Sequence, residues 1–448
     1  MIKNDIVRLT IESITGEGAG VGRHDGMVVF VPFAAVGDVL DVRIVKSGKS
    51  FCYGKIENII TPSADRTDPD CPAFGKCGGC AFRHLNSGAE LKAREEIIRS
   101  AFTRIGGLEP EFLPIIGNPA PDGYRNKAQY PVGRDKDGNI VCGFYASRSH
   151  RIVPCGSCKL EQPVFAEIRR AVLEMCTEYK ISPYCEESHS GVLRHICIRR
   201  GHYSGEINIV LVVRRNVPEL KKLAHRLMKR FPDIRGVVAD INKEKTNVIY
   251  GSDDITLAGV PEITDTMLGR KFVISPKSFY QVNTPMAEKL YAEAAKLAQA
   301  EGKTLIDLYC GIGTVGLSVA SDTTKLIGVE IVPDAVENAR RNAEINGCDN
   351  AEFYCGDAGE VTSLLRAKDI RADVVTVDPA RKGCDTATLD NIVSFAPERI
   401  VMISCDPATA ARDCRYLSGH GYRAVSVRGV DMFSRTIHAE CLILLERV

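Results

Sequence analysis

Asp307-Leu308-Tyr309-Cys310-Gly311-Ile312-Gly313-Thr314-Val315-Gly316 follows a short apolar run and opens an amphipathic stretch, and Glu330 stands 19 residues after Gly311 at the end of the next apolar run. Strand, glycine turn, helix, strand and acid occur here in the order by which a parallel α/β sheet holds a nucleotide. The glycines let the backbone come close to a ligand, and the acid is placed to accept hydrogen bonds from ribose hydroxyls. On these residues alone the spacing is also that of a dinucleotide site, so an NAD-dependent oxidoreductase stays open.

The flanking sequence extends the alternation. Strand patterns are expected at residues 304–309, 325–330, 351–355, 373–378 and 399–404, with helices between them. One helix is expected over 333–346, stopped by Gly347, and another opens at Thr284 and Pro285, which suit the N-cap and N1 positions. Two last strands, 423–428 and 440–446, have no helix between them and should pair antiparallel. Five parallel strands and a terminal hairpin are the layout of an α/β class I S-adenosylmethionine-dependent methyltransferase domain, expected over residues 276–448. Asp357, after the third strand, suits an adenine amino group, and Asp378, after the fourth, suits the methionine end or the substrate. Helix capping is the plainer role for either acid.

Ser404-Cys405-Asp406-Pro407 ends the fifth strand and His438-Ala439-Glu440-Cys441 begins the last. Carbon 5 of uracil is too poor a nucleophile to take a methyl group unaided. A thiolate added at carbon 6 produces an enolate whose carbon 5 attacks a sulfonium methyl, and a base must then remove the carbon 5 proton. Cys405 is the candidate nucleophile and Glu440 the candidate base. Asp406 and Pro407 suit the N-cap and N1 of a helix, whose partial positive charge favours thiolate against an ordinary thiol pKa of about 8.5. An ionised Asp406 works the other way. A buried structural thiol and a solvated strand-edge acid are the plain alternatives, and position at a strand's carboxyl end weighs against them.

Upstream, residues 1–60 alternate apolar and polar positions between glycines, the pattern of a small five-stranded β-barrel. A proline-bearing linker follows. Residues 70–275 then carry a cysteine cluster, a helical pattern over 88–105 and strand-like runs such as 195–199 and 207–213, consistent with a central α+β domain. Cys71, Cys77 and Cys80 lie within ten residues, and Cys155 and Cys158 supply more thiols. Four cysteines hold either zinc or a 4Fe-4S cluster, and spacing alone suggests zinc on Cys77, Cys80, Cys155 and Cys158. The five-residue gap between Cys71 and Cys77 argues against radical S-adenosylmethionine chemistry.

With 44% apolar residues among 448, the chain can build real cores, and runs such as 209–213 are too short to span a bilayer. The N-terminus has no signal-peptide pattern, so a soluble, cytoplasmic protein is expected, with most of its 17 cysteines reduced. A net charge of +1 gives no global pull on nucleic acid. RNA binding would therefore rest on local groups: Arg148, His150 and Arg151, then Arg194, His195, Arg199, Arg200 and His202.

Through these motifs the chain resembles the RNA (uracil-5-)-methyltransferase family, most closely its 23S rRNA branch with an iron-sulfur cluster, over nearly its whole length. The resemblance implies a TRAM domain, an OB-like barrel, at the N-terminus, a central Fe-S domain and a C-terminal catalytic domain, with the segment 88–120 packing on the last. It implies that Cys405 is the nucleophile and Glu440 the base. Gln281, Tyr309, Glu330, Asp357 and Asp378 are implied to contact S-adenosyl-L-methionine, and Cys71, Cys77, Cys80 and Cys158 to hold a 4Fe-4S cluster, leaving Cys155 spare. Two positions depart from the family pattern: Asp406 where Asn is frequent, and Ala380 where a second Pro is frequent. The implied partner is RNA, 23S rRNA first, bound by a monomer away from any membrane. The same reaction on tRNA, or a non-catalytic Fe-S RNA-binding protein, is the alternative.

Overall fold

A computed structural model describes residues 1–448. The N-terminal strands β1 (Ile6–Ile14), β2 (Ala19–His24), β3 (Met27–Pro32), β4 (Val39–Ser47) and β5 (Phe51–Thr61) close into a barrel in the order β1-β2-β3-β5-β4. Alternation decides which side chains fill it: Val7, Leu9 and Ile11 of β1 point inward with Val29, Val31, Leu40, Val42 and Ile44.

Helix α1 (Ser87–Ser100) is capped by Asn86, whose side chain accepts from Ala89 N at 2.8 Å. A π-helical turn, Ala101–Gly106, continues it, and β6 (Glu111–Ile116) follows. Ile98, Ala101 and Phe102 pack into the core of the C-terminal sheet, and β6 joins that sheet's edge parallel to a strand more than 300 residues later.

The central unit contains β7 (Lys127–Arg134), β8 (Ile140–Tyr145), β9 (Ile152–Pro154), α2 (Pro163–Glu178), β10 (Leu193–Arg200), β11 (Ile207–Val213), α3 (Pro218–Arg230), β12 (Ile234–Ile241) and β13 (Asp253–Gly259). Its seven strands run β13-β12-β11-β10-β7-β8-β9. Both helices pack on one face, while the other carries Cys197, Val210, Val212 and Val238 beneath Ile249 and Tyr250. The hairpin β14 (Ile263–Met267) and β15 (Arg270–Ile274) departs from the expected boundary at 275. Ile263, Met267, Phe272 and Ile274 are buried in the C-terminal core, because that is where their apolar face finds cover.

The C-terminal unit comprises α4 (Thr284–Ala298), β16 (Thr304–Leu308), α5 (Thr314–Val319), β17 (Lys325–Glu330), α6 (Pro333–Ile345), β18 (Ala351–Cys355), α7 (Ala358–Ala367), β19 (Val374–Val377), α8 (Thr386–Phe395), β20 (Arg399–Ser404), α9 (Pro407–Ser418), β21 (Tyr422–Val430) and β22 (Glu440–Arg447). The sheet order is β18-β17-β16-β19-β20-β22-β21-β6, with β18 to β20 parallel and β22 antiparallel to both its neighbours. Helices α4, α5 and α6 cover one face, and α7, α8, α9 and α1 the other. Asn283, rather than Thr284, caps α4, its side chain accepting from Met286 N. No helix is long and apolar enough to cross a membrane.

Phe102 is fully buried against the C-terminal sheet. Phe102→Ala is expected to destabilise the C-terminal unit by about 3 to 5 kcal/mol, read as a lowered urea midpoint. An unchanged midpoint would separate this segment from that core.

Candidate active site

Ser404 pairs with Cys441 across the antiparallel strands β20 and β22. Cys405 leaves the end of β20 and Glu440 is the first residue of β22, so the two emerge beside one another at the sheet's carboxyl edge. Asp378 follows β19 on the same edge. Glu440 is 2% exposed, whereas Cys405 keeps part of its surface open.

Burial dominates the electrostatics here. It pushes Glu440 well above the carboxylate range, and the nearby Asp378 adds to that. Asp378 is raised to about 7 by burial, then by Asp307. The Cys405 thiol is raised to about 11, by burial first and Glu440 second, with Arg381 opposing. Burial thus outweighs the helix N-terminus at Cys405, which rests as a thiol. The first amides of that helix are taken: Asp406 accepts from Ala408 N at 3.0 Å and Thr409 N at 3.1 Å.

Sequence reasoning missed three neighbours. Arg381 donates to His438 Nε2 at 2.9 Å, and burial lowers His438 to about 4, keeping its imidazole neutral. His438 sits inside a motif already quoted, and Arg381 lies three residues after Asp378. Tyr291 carries a buried hydroxyl with no partner, amid Asp378, Thr314, Gln281 and Glu440. Its place on the apolar face of α4 gave no sign of this.

The glycine turn is held by carboxylates. Asp307 is buried, accepts from Gly316 N at 2.8 Å and from Thr376 Oγ1 at 2.7 Å, and is raised by burial to about 7. A Cβ on Gly316 would meet Asp307 Oδ2 at 2.8 Å, so packing requires glycine there. Glu330 accepts from Gly311 N at 3.0 Å and Val332 N at 2.9 Å. Asp357 caps α7, accepting from Gly359 N at 2.9 Å. Tyr309 adopts φ +63° and its hydroxyl lies 3.4 Å from Thr388 Oγ1. Gln281 is buried just before α4, its carbonyl accepting from Asn126 Nδ2 at 2.9 Å. Tyr309, Glu330, Asp357 and Asp378 thus follow or end four successive parallel strands at one edge, where an open-sheet nucleotide site is built.

In the central unit Cys71, Cys77, Cys80, Cys155 and Cys158 line one cavity of about 270 Å³, together with Arg125 and Glu161. No three His, Cys, Asp or Glu side chains are arranged to hold a metal ion. Cys155 Sγ donates to Ser157 O at 3.0 Å, and Cys77 Sγ accepts from Gly79 N at 3.3 Å. Several basic groups expected to meet RNA are engaged within the protein. Arg194 is buried and donates to the carbonyls of Asn242, Glu244 and Thr246, Arg148 pairs with Glu17 at 3.1 Å, and His150 with Glu186 at 2.9 Å.

A family profile described as tRNA (uracil-5-)-methyltransferase matches residues 200–448, and a TRAM domain profile matches residues 3–56. An uncharacterized RNA methyltransferase of Halalkalibacterium halodurans is 42% identical over 99% of this chain and 97% of its own length. Another, of Clostridium acetobutylicum, is 41% identical over 100% and 98%. Among solved structures, the Pyrococcus abyssi tRNA (uracil-54, C5)-methyltransferase in complex with S-adenosyl-L-homocysteine superposes with a TM-score of 0.78 at 27% identity, covering 98% of this chain and 100% of that one.

Because Cys405 rests as a thiol and Arg381 is a cation that lowers its pKa, iodoacetamide alkylation of Cys405 should accelerate as pH rises through neutrality. Arg381→Gln is expected to slow it several-fold at fixed pH, followed by mass spectrometry of the Cys405 peptide. A rate independent of pH, or unchanged in Arg381→Gln, would contradict this assignment.

Proposed function

This chain belongs to the tRNA (uracil-5-)-methyltransferase family, here with a TRAM domain at its N-terminus, and as an S-adenosylmethionine-dependent RNA uracil-5 methyltransferase we propose that it methylates a uridine of 23S rRNA through a covalent cysteine–uracil intermediate. The observation that carries the mechanism is the emergence of Cys405 and Glu440 side by side beyond the Ser404–Cys441 pair.

Cys405 gives its proton to solvent and, as a thiolate, adds to carbon 6 of the uracil, and the carbon 5–carbon 6 electron pair moves onto the carbon 4 carbonyl as an enolate. S-adenosylmethionine, as co-substrate, offers a methyl group on a sulfonium; carbon 5 takes it and S-adenosylhomocysteine leaves. Glu440, ionised, then removes the carbon 5 proton, the double bond re-forms and the thiolate is expelled. The surroundings suit this order. Burial makes the thiol and the acid reluctant to ionise in the free enzyme, Arg381 favours the thiolate, and the low-polarity setting strengthens a carboxylate as a base. In this reading Gln281, Tyr309, Glu330, Asp357 and Asp378 receive the donor, with Asp378 nearest its reacting end.

The target must be an accessible base in a loop or flipped from its stack. The ribosomal assignment rests on the combination of barrel and cysteine cavity. The same reaction on tRNA is the second reading, favoured by the substrate named for the Pyrococcus abyssi neighbour. Mapping of 5-methyluridine in ribosomal and transfer RNA from cells with and without the protein distinguishes them. Cys405→Ala is expected to abolish methyl transfer and covalent trapping by 5-fluorouridine RNA, while Glu440→Gln should accumulate the adduct. Equal trapping by wild type and Cys405→Ala would remove the nucleophile assignment.

For the cysteine cavity we infer a 4Fe-4S cluster on Cys71, Cys77, Cys80 and Cys158, supported by the thiol-lined space that these side chains share. Such a cluster would supply a structural tie between distant segments, since methyl transfer needs no electron. Protein prepared anaerobically should contain iron and acid-labile sulfide, lost in Cys158→Ser and kept in Cys155→Ser. Equal loss in both would refute this ligand set.

A further inference from the structure

The face of the central sheet away from α2 and α3 holds a group of buried donors, several of them without an acceptor. Lys127 on β7 stands directly opposite Arg199 on β10. Like charges placed opposite one another across a strand pair are destabilising, and burial makes them more so. Neither residue forms an ion pair with any acid. Arg199 is 4% exposed and donates to Ser278 O, yet its Nε and Nη1 are buried and unpartnered. The Tyr250 hydroxyl is likewise buried without a partner, and its ring lies under Lys127, with Nζ 5.5 Å from the centroid. Lys127 itself keeps part of its side chain open to solvent and has no hydrogen-bond partner in the protein.

The unpartnered Arg199 Nε and Nη1 and the Lys127 ammonium can only donate, so their missing partner is an acceptor. The charge on Arg199, with Lys127 facing it and no counter-charge paired to either, makes that acceptor an anion. The nearby carboxylate Asp240 is already taken by Lys277 at 2.7 Å.

The location narrows the choice of anion. Asn126, next to Lys127, donates to Gln281 O at 2.9 Å and to Thr284 Oγ1 at 3.1 Å, and Arg199 holds Ser278 O. The donor group is therefore tied to the segment 278–284 that leads into α4 beside the proposed methyl-donor site. We propose that Lys127, Arg199 and Tyr250 form a subsite for a backbone phosphate of the RNA substrate, with the half-buried Lys127 as the outer contact and Arg199 and Tyr250 as the donors behind it. This rests on the RNA methyltransferase reading.

Phosphate contacts of this kind set affinity and salt dependence rather than sequence preference. The free protein bears the strain of the site: burial lowers Lys127 to about 7, with Arg199 adding to the effect and Cys197 opposing it. A bound phosphate relieves that strain by supplying the counter-charge.

The test is fluorescence anisotropy of a single-stranded RNA oligonucleotide across a KCl series, with wild type, Lys127→Met, Lys127→Arg and Tyr250→Phe. Lys127→Met is expected to weaken RNA binding several-fold and to reduce the slope of log affinity against log salt by about 0.7. It should leave S-adenosylhomocysteine affinity unchanged and the melting temperature of the free protein unchanged or higher. Lys127→Arg should restore the salt slope. Because Arg199 is buried and its removal endangers folding, the decision rests on the Lys127 pair.

A wild-type slope retained by Lys127→Met would overturn the subsite while leaving the RNA reading intact. Failure of the wild type to bind RNA would overturn both. A lower melting temperature with unchanged RNA affinity would make Lys127 a packing residue. Saturable binding of inorganic phosphate with no change in the RNA slope would assign the subsite to a free anion and equally overturn the proposal.

Discussion

The pairing of Ser404 with Cys441 is the constraint on which the site depends. In a parallel sheet every strand delivers its carboxyl end to the ligand edge, so residues that follow strands collect there. An antiparallel strand does the reverse and delivers its first residue. Because β22 is inserted between β20 and β21 and runs against both, Glu440 arrives at the edge where Cys405 departs. A slip of β22 by one residue would turn Glu440 to the other face and separate it from Cys405.

Proximity at that edge has an electrostatic consequence. A thiol and two carboxylates share a space where charge is poorly solvated, and each holds its proton more tightly than in water. The free protein therefore favours the neutral forms of Cys405 and Glu440. In the proposed mechanism, charge develops there when substrate displaces water and protons move in sequence. Asp307 shows the same physics in a structural setting, its buried carboxylate satisfied by Gly316 N and Thr376 Oγ1 and fixing the glycine turn.

The approach to Glu440 is held from far away in sequence. Arg94 on α1 is fully buried, pairs with Glu90 at 2.8 Å and Asp431 at 3.3 Å, and donates to the carbonyls of Phe433, Thr436 and His438. Five acceptors around one planar guanidinium fix the loop between β21 and β22 more firmly than its own backbone bonds could. The catalytic unit thus includes α1, the π-helical turn and β6, although the barrel precedes them and the central sheet follows them in the chain.

Short-range pattern settled a good part of this protein. Alternation in residues 1–60 implied a barrel, the glycines and acids after Asp307 implied a nucleotide edge, and the isolated polar groups Cys405 and Glu440 at strand ends stood out from apolar surroundings. Such features are local: period, turn chemistry and caps act within a few residues. Even there, the choice between adjacent capping residues went to Asn283 over Thr284, because loop geometry selects between them. The contacts of Arg94, the capture of the hairpin β14–β15 by the C-terminal core, the orphan hydroxyl of Tyr291 and the raised thiol of Cys405 were decided by the tertiary structure. Each depends on which distant surfaces exclude water from one another, and burial is a property of the packed whole that no local stretch of sequence carries.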